Sequence, residues 1–201
     1  MSVRKFSSAS ISSVQPKGSK FWNQETFPGT YESIVTAIVD SGGASSVEFT
    51  SIPSTYKHLQ IRAIGKVVNT TAYAKDVLLQ FNSDTGNNYS RHQIAGDGSA
   101  TSVGAGVSTN HITIGSFPDN NFGSSFFSSF VCDILDCTDT NKYKTVRSLG
   151  GYEVNNATYS GTKFASGSWR NTNAITSIKI YIDDRNIDQY SHFSLYGIRG
   201  A

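Results

Sequence analysis

The groups in this chain that could do chemistry are four histidines, fifteen carboxylates and two cysteines. Their spacing argues against a catalytic centre. His58, His92, His111 and His192 form no His-x-x-x-His pair, and none lies near a cysteine at metal-ligand spacing. There is no Gly-x-Ser-x-Gly elbow. Gly96-Asp-Gly98 is the nearest approach to a phosphate-binding glycine pattern, and a flexible connection explains it better. A glycosidase needs two carboxylates about 5–9 Å apart across a cleft. Asp133 and Asp136 have opposite parity on one expected strand, so they point to opposite faces. Asp183 and Asp184-Arg-Asn186-Ile-Asp188 alternate oxygen ligands as a calcium loop does, but lack the turn glycine and the late Glu. The expectation is no enzyme, no cofactor and no metal.

Cys132 and Cys137 lie on one expected strand, about 16 Å apart at roughly 3.3 Å per residue. A disulfide needs Cα atoms within about 7 Å, so two free thiols are expected, as suits assembly in a reducing cytoplasm. The remaining candidate chemistry is recognition. Trp169, Arg170, Asn171 and Asn173 stand together beside a turn. An exposed indole there would stack on a sugar while the neighbouring side chains bond its hydroxyls; core packing is the other reading of Trp169.

The elements that must position these residues are strands. Charged residues make up 16%, against about 25% in an average soluble protein, and Tyr and Phe number ten and twelve. With one Met, long amphipathic helices lack their usual material. A net charge of +2, with scattered basic residues, supports neither nucleic-acid binding nor membrane-surface binding. No run of about 20 apolar residues predicts membrane insertion, and no apolar stretch follows the basic start as in a secretion signal.

Two regions are expected. Residues 1–30 read as an extended arm whose anchors are Phe6, Phe21, Trp22 and Phe27. Residues 31–201 have a period of two. Residues 33–52 predict a hairpin with a longer loop. Leu59, Ile61 and Ala63 share one face of the clearest strand, and Ile178, Ile180 and Ile182 share one face of another. Residues 95–108 are small and glycine-rich and predict a loop. Ten or eleven strands with no intervening helix predict an all-β fold, an antiparallel β-sandwich that is jelly-roll-like.

Several segments resemble a recurring module of tailed-phage virion proteins, notably of cyanophages and other marine phages. They include Ile52-Pro-Ser-Thr-Tyr-Lys-His-Leu-Gln-Ile-Arg62, Gln80-Phe-Asn-Ser-Asp-Thr-Gly-Asn-Asn-Tyr89, Trp169-Arg-Asn-Thr-Asn-Ala-Ile-Thr-Ser-Ile178 and Phe193-Ser-Leu-Tyr-Gly-Ile-Arg199. The resemblance covers about residues 31–200, and none of its segments is a catalytic motif. It implies a β-sandwich on a capsid or in a tail fibre, hence a virion location and other virion proteins, such as the major capsid protein, as partners. A short arm on a single sandwich, without a fibre shaft, points to a capsid decoration (cement) protein, trimeric as lattice three-folds favour. The alternative is a tail-fibre or adaptor module that binds a host receptor or glycan.

If the arm clamps neighbours, deleting residues 1–20 should weaken assembly or lower the melting temperature. Unchanged assembly and stability in the truncated protein would remove the clamp.

Overall fold

The computed structural model describes residues 30–68, 74–156 and 159–200. The four arm anchors, Phe6, Phe21, Trp22 and Phe27, lie outside these residues. The described chain is an antiparallel sandwich of two unequal sheets. Its strands are β1 (Tyr31–Ile38), β2 (Ser46–Phe49), β3 (His58–Gly65), β4 (Ala74–Phe81), β5 (Tyr89–Gly96), β6 (Thr101–Thr109), β7 (Ile112–Pro118), β8 (Ser128–Leu135), β9 (Lys144–Tyr152), β10 (Gly161–Trp169), β11 (Ile178–Ile182) and β12 (His192–Ile198). One sheet has eight strands in the order β1-β12-β3-β8-β9-β10-β5-β6; the other has four, β2-β11-β4-β7.

Alternation builds the core. Leu59, Ile61 and Ala63 point inward from β3, Phe130, Cys132 and Ile134 from β8, and Phe193 and Leu195 from β12. Facing them, Val77, Leu79 and Phe81 of β4, Ile112, Ile114 and Phe117 of β7, and Ile178, Ile180 and Ile182 of β11 are also buried. Phe117 lies at the centre, with ring centroids 5.8 Å from both Phe130 and Phe193. Its ring sits so close to β3 that a Cβ on Gly65 would come within 2.4 Å of it, so that position admits only glycine.

Two expectations are corrected. Residues 33–52 are not a hairpin: β1 pairs with β12 in the large sheet, while β2 pairs with β11 in the small one. The Asp40-Ser-Gly-Gly43 turn carries the chain from one sheet to the other, and both segments find better partners far away in sequence. Residues 95–108 are not a loop either, because β6 pairs with β5 along its whole length. Its glycines serve that pairing. A Cβ on Gly104 would press on the Gln93 side chain at 3.2 Å, and one on Gly106 would meet Thr109 at 2.9 Å and Arg91 at 3.4 Å. The small residues that read as flexibility make room for long side chains on the neighbouring strand.

Both cysteines are free and buried. Cys137 Sγ donates to the Tyr56 carbonyl at 3.4 Å, and burial pushes its thiol up to about 11.

Trp169 is core, with 1% of its surface exposed. Its ring centroid lies 5.5 Å from that of Phe81 and 6.4 Å from that of Tyr89. Its Nε1 donates to Asp84 Oδ2 at 2.8 Å. Trp169→Ala should therefore cost about 3–5 kcal/mol of stability, as burial of a large aromatic implies. A denaturant titration measures it. Trp169→Phe should recover part of the packing but not the indole hydrogen bond to Asp84.

Candidate interaction face

The outward side of the large sheet carries the most unusual surface among the described residues. Cross-strand register places Val131 opposite Leu149, Leu149 opposite Phe164, Phe164 opposite Ile94, and Ile94 opposite Val103. One apolar row thus crosses five strands, from β8 to the free edge at β6. Exposures along it are 38% for Val131, 63% for Leu149, 47% for Phe164, 48% for Ile94 and 82% for Val103. Single exposed apolar residues are ordinary, but a contiguous row of them marks a contact surface. At strand spacings of about 4.8 Å, the row is roughly 19 Å long.

Relief sharpens the surface. Beside the row, Ser129, Gly151, Thr162 and Gly96 stand opposite one another across four strands. These small residues make a shallow trough parallel to the apolar ridge. A concavity of about 610 Å³ lies at its β3–β9 end, lined by Ile64, Val131, Leu149, Gly150, Gly151 and Tyr196 among others. A second, of about 500 Å³, lies between Phe164, Ile94 and Val103.

The other flank is polar and fixed. Asp133 accepts from Gln60 Nε2 at 2.8 Å and from Arg147 Nε at 3.2 Å. Tyr31 and Tyr196 stack at 4.9 Å, and the Arg62 guanidinium sits 5.9 and 5.8 Å from their ring centres. Apolar ridge, small-residue trough and charged flank run side by side, as in the core and rim of a protein contact.

Strands β5 and β6 carry the outer end of the ridge. In β3, β8 and β12 most apolar residues point inward, Val131 being an exception. In β5 beyond the buried Tyr89, and in β6, the pattern inverts: Ile94, Val103 and Val107 point outward, while Arg91, Gln93, Gly104 and Gly106 point inward. Alternation is visible in the sequence of β5, but its direction is not, because that depends on which side the second sheet covers.

The sugar platform expected at Trp169, Arg170, Asn171 and Asn173 is not present in that form. Burial withdraws the indole faces, because Phe81 and Tyr89 already pack against them. The four residues do share one corner. Arg170 Nη2 donates to the Asn87 carbonyl at 2.6 Å, and Asn171 Oδ1 accepts from the Asn173 backbone N–H at 2.9 Å. Their visible role is to hold the loop after β10. The Asp84 carboxyl belongs to the same corner. Burial alone would raise its pKa, but hydrogen bonds from Trp169, Asn88 and Gly86 outweigh that and hold it below the usual range. Among the described residues no cluster of three His, Cys, Asp or Glu is placed to hold a metal ion.

No protein-family model, no curated protein and no solved structure matches this chain. The functional reading therefore rests on the chain's own surfaces.

Phe164→Ser tests whether the ridge is surface or support. The variant should bind markedly less of a dye that fluoresces on apolar surface. Its melting temperature should move by no more than about 2 °C, since an exposed substitution is worth about 0.5 kcal/mol or less.

Proposed function

We propose that this chain is a non-enzymatic structural subunit of a tailed-phage particle, a capsid decoration protein that joins neighbouring subunits. The observation that carries this reading is the apolar row Val131–Leu149–Phe164–Ile94–Val103. It ends at β6, an edge strand whose Val103 and Val107 are largely exposed. One neighbour can cover ridge and edge together, and we assign that place to a second copy of the chain, in a closed trimer. Closure leaves no copy with an uncovered ridge, and it caps an edge strand that would otherwise template open-ended pairing.

The winding supports the same reading. Set aside the β5–β6 and β9–β10 hairpins, and eight strands remain, in the orders β1-β12-β3-β8 and β2-β11-β4-β7. We assign this winding to a jelly roll, an architecture frequent in viral coat and lectin domains. Architecture does not fix function, so the weight stays on the exposed face. The strand and turn segments that resemble phage virion modules fall within the described sandwich. In this reading the mechanism is buried area: rupture of the shell must also break the contacts each subunit makes, and a specific contact covers about 1,600 Å².

Analytical ultracentrifugation checks the face, and a particle reconstruction checks the location. The protein should sediment as a trimer at micromolar concentration and Leu149→Asp as a folded monomer, with particles carrying the variant losing DNA at a lower temperature. Equal sedimentation of both proteins would remove the face from assembly. Density for the protein at the tail tip alone would remove the decoration role.

A further inference from the structure

The large sheet has twice the strands of the small one, and its overhang is not filled with apolar side chains. Followed across the sheet, the inward row begins Leu195–Ile61–Cys132 and ends Ala165–Gln93–Gly104. It passes from core to polar and small residues where the second sheet runs out. Under this overhang lies a cavity of about 340 Å³ between β5, β6 and β10 on one side and the ends of β4 and β7 on the other. It continues past Gly96 and Gly161 into an outer bowl reaching Glu153 and Asn155.

The polar groups of this cleft are of two kinds. Some already have partners. Asp76 is paired with Lys163 and accepts from Ser116 Oγ at 3.2 Å. Asp97 accepts from the backbone N–H groups of Ser99 and Ala100 at 2.9 and 2.7 Å, and these bonds hold its carboxyl below the usual range. One has none. Gln93 Oε1, on the inward side of β5, is shut off from solvent and makes no hydrogen bond among the described residues. Unsatisfied buried polar atoms are costly and rare in native structures. Tyr152 supplies one aromatic ring at the wall. Burial raises its phenol pKa, so the hydroxyl stays protonated and can both donate and accept.

We propose that this cleft is a binding site for a neutral saccharide. The lining selects that class. Its one cation, Lys163, is matched by Asp76, while Asp97 and Glu153 leave an excess of negative charge, so phosphate, sulfate or carboxylate ligands are disfavoured. The lining is too polar for a purely apolar guest. It offers hydroxyl, amide and carboxylate groups around one phenol ring, which matches a ligand dense in uncharged hydroxyls with an apolar C–H face. The volume lies in the small-ligand range of about 300–1,000 Å³. The site is separate from the outward ridge, because Gln93 and Ile94 leave β5 on opposite faces. It does not depend on the virion assignment.

The test is a glycan array of neutral and acidic oligosaccharides probed with the whole protein, followed by titration of the best neutral ligand. The variants are Tyr152→Ala, which removes the ring, and Ser102→Trp, which fills the cleft from the exposed start of β6. The expected result is selective capture of neutral glycans, with affinity at least ten-fold weaker in both variants. Unchanged melting curves would show that Ser102→Trp acts by occupancy and not by unfolding. Capture of no glycan, capture of acidic glycans alone, or neutral-glycan affinity unchanged in Ser102→Trp would each overturn the proposal.

Discussion

A sheet of four strands cannot cover a sheet of eight. At about 4.8 Å per strand, the two differ in width by roughly 19 Å. The inner cleft and the outer end of the ridge follow from that mismatch. Where β3, β8 and β12 lie over the small sheet, most apolar residues point inward, with Val131 and Ile64 as outward exceptions. Past β10 the small sheet meets only the start of β5, where Tyr89 is buried beside Phe81 and Arg91 reaches Thr113, so apolar side chains farther along would gain little by pointing in. In β5 and β6 they point out instead. The Ile94–Val103 end of the ridge on one face and the polar cleft on the other are two sides of one inversion.

The inversion would be of little use on a loose frame, and buried charges hold the frame at its corners. The Lys144 ammonium is fully buried and donates to the carbonyls of Asp139, Lys142 and Thr172. Burial lowers its pKa, yet the three carbonyl oxygens replace its hydration. In doing so it ties the loop before β9 to the loop after β10. Lys66 does similar work between the sheets: it lies 3.2 Å from Asp188, donates to the Ser124 carbonyl at 2.9 Å and rests 4.9 Å from the Phe127 ring centre. Burying such groups costs desolvation, so their value lies in specifying where irregular backbone must sit. Lys144 and Trp169 both anchor the corner from which β9 and β10 carry Leu149 and Phe164.

The legible parts of the fold were those whose pattern is local. Leu59, Ile61 and Ala63, and likewise Ile178, Ile180 and Ile182, announce strands because alternation is a property of neighbouring residues. The segment Thr101–Thr109 was not legible, because its glycines matter only once Gln93 and Arg91 lie across from them. The pairing of β1 was hidden for a similar reason: its partner β12 is about 160 residues away. Trp169 could be read as platform or as core from its sequence neighbours. Its fate was settled by Asp84 and Phe81, some 85 residues earlier. The ridge has no signal in any one strand, since it is assembled by register from five.

The first and last described strands are hydrogen-bonded neighbours, with Tyr31 opposite Ile198 and the Arg199 N–H on the Thr30 carbonyl at 3.0 Å. Chain therefore enters and leaves the sandwich at one point. In mechanical terms this is a zipper and not a lap joint. Tension applied through both ends would act across the β1–β12 ladder and load its hydrogen bonds one at a time, whereas tension along antiparallel strands pulled from opposite ends would load them all together. A unit built this way resists force poorly through its own termini and well through its broad faces. It is suited to being gripped by the sheet and not to being strung in a line.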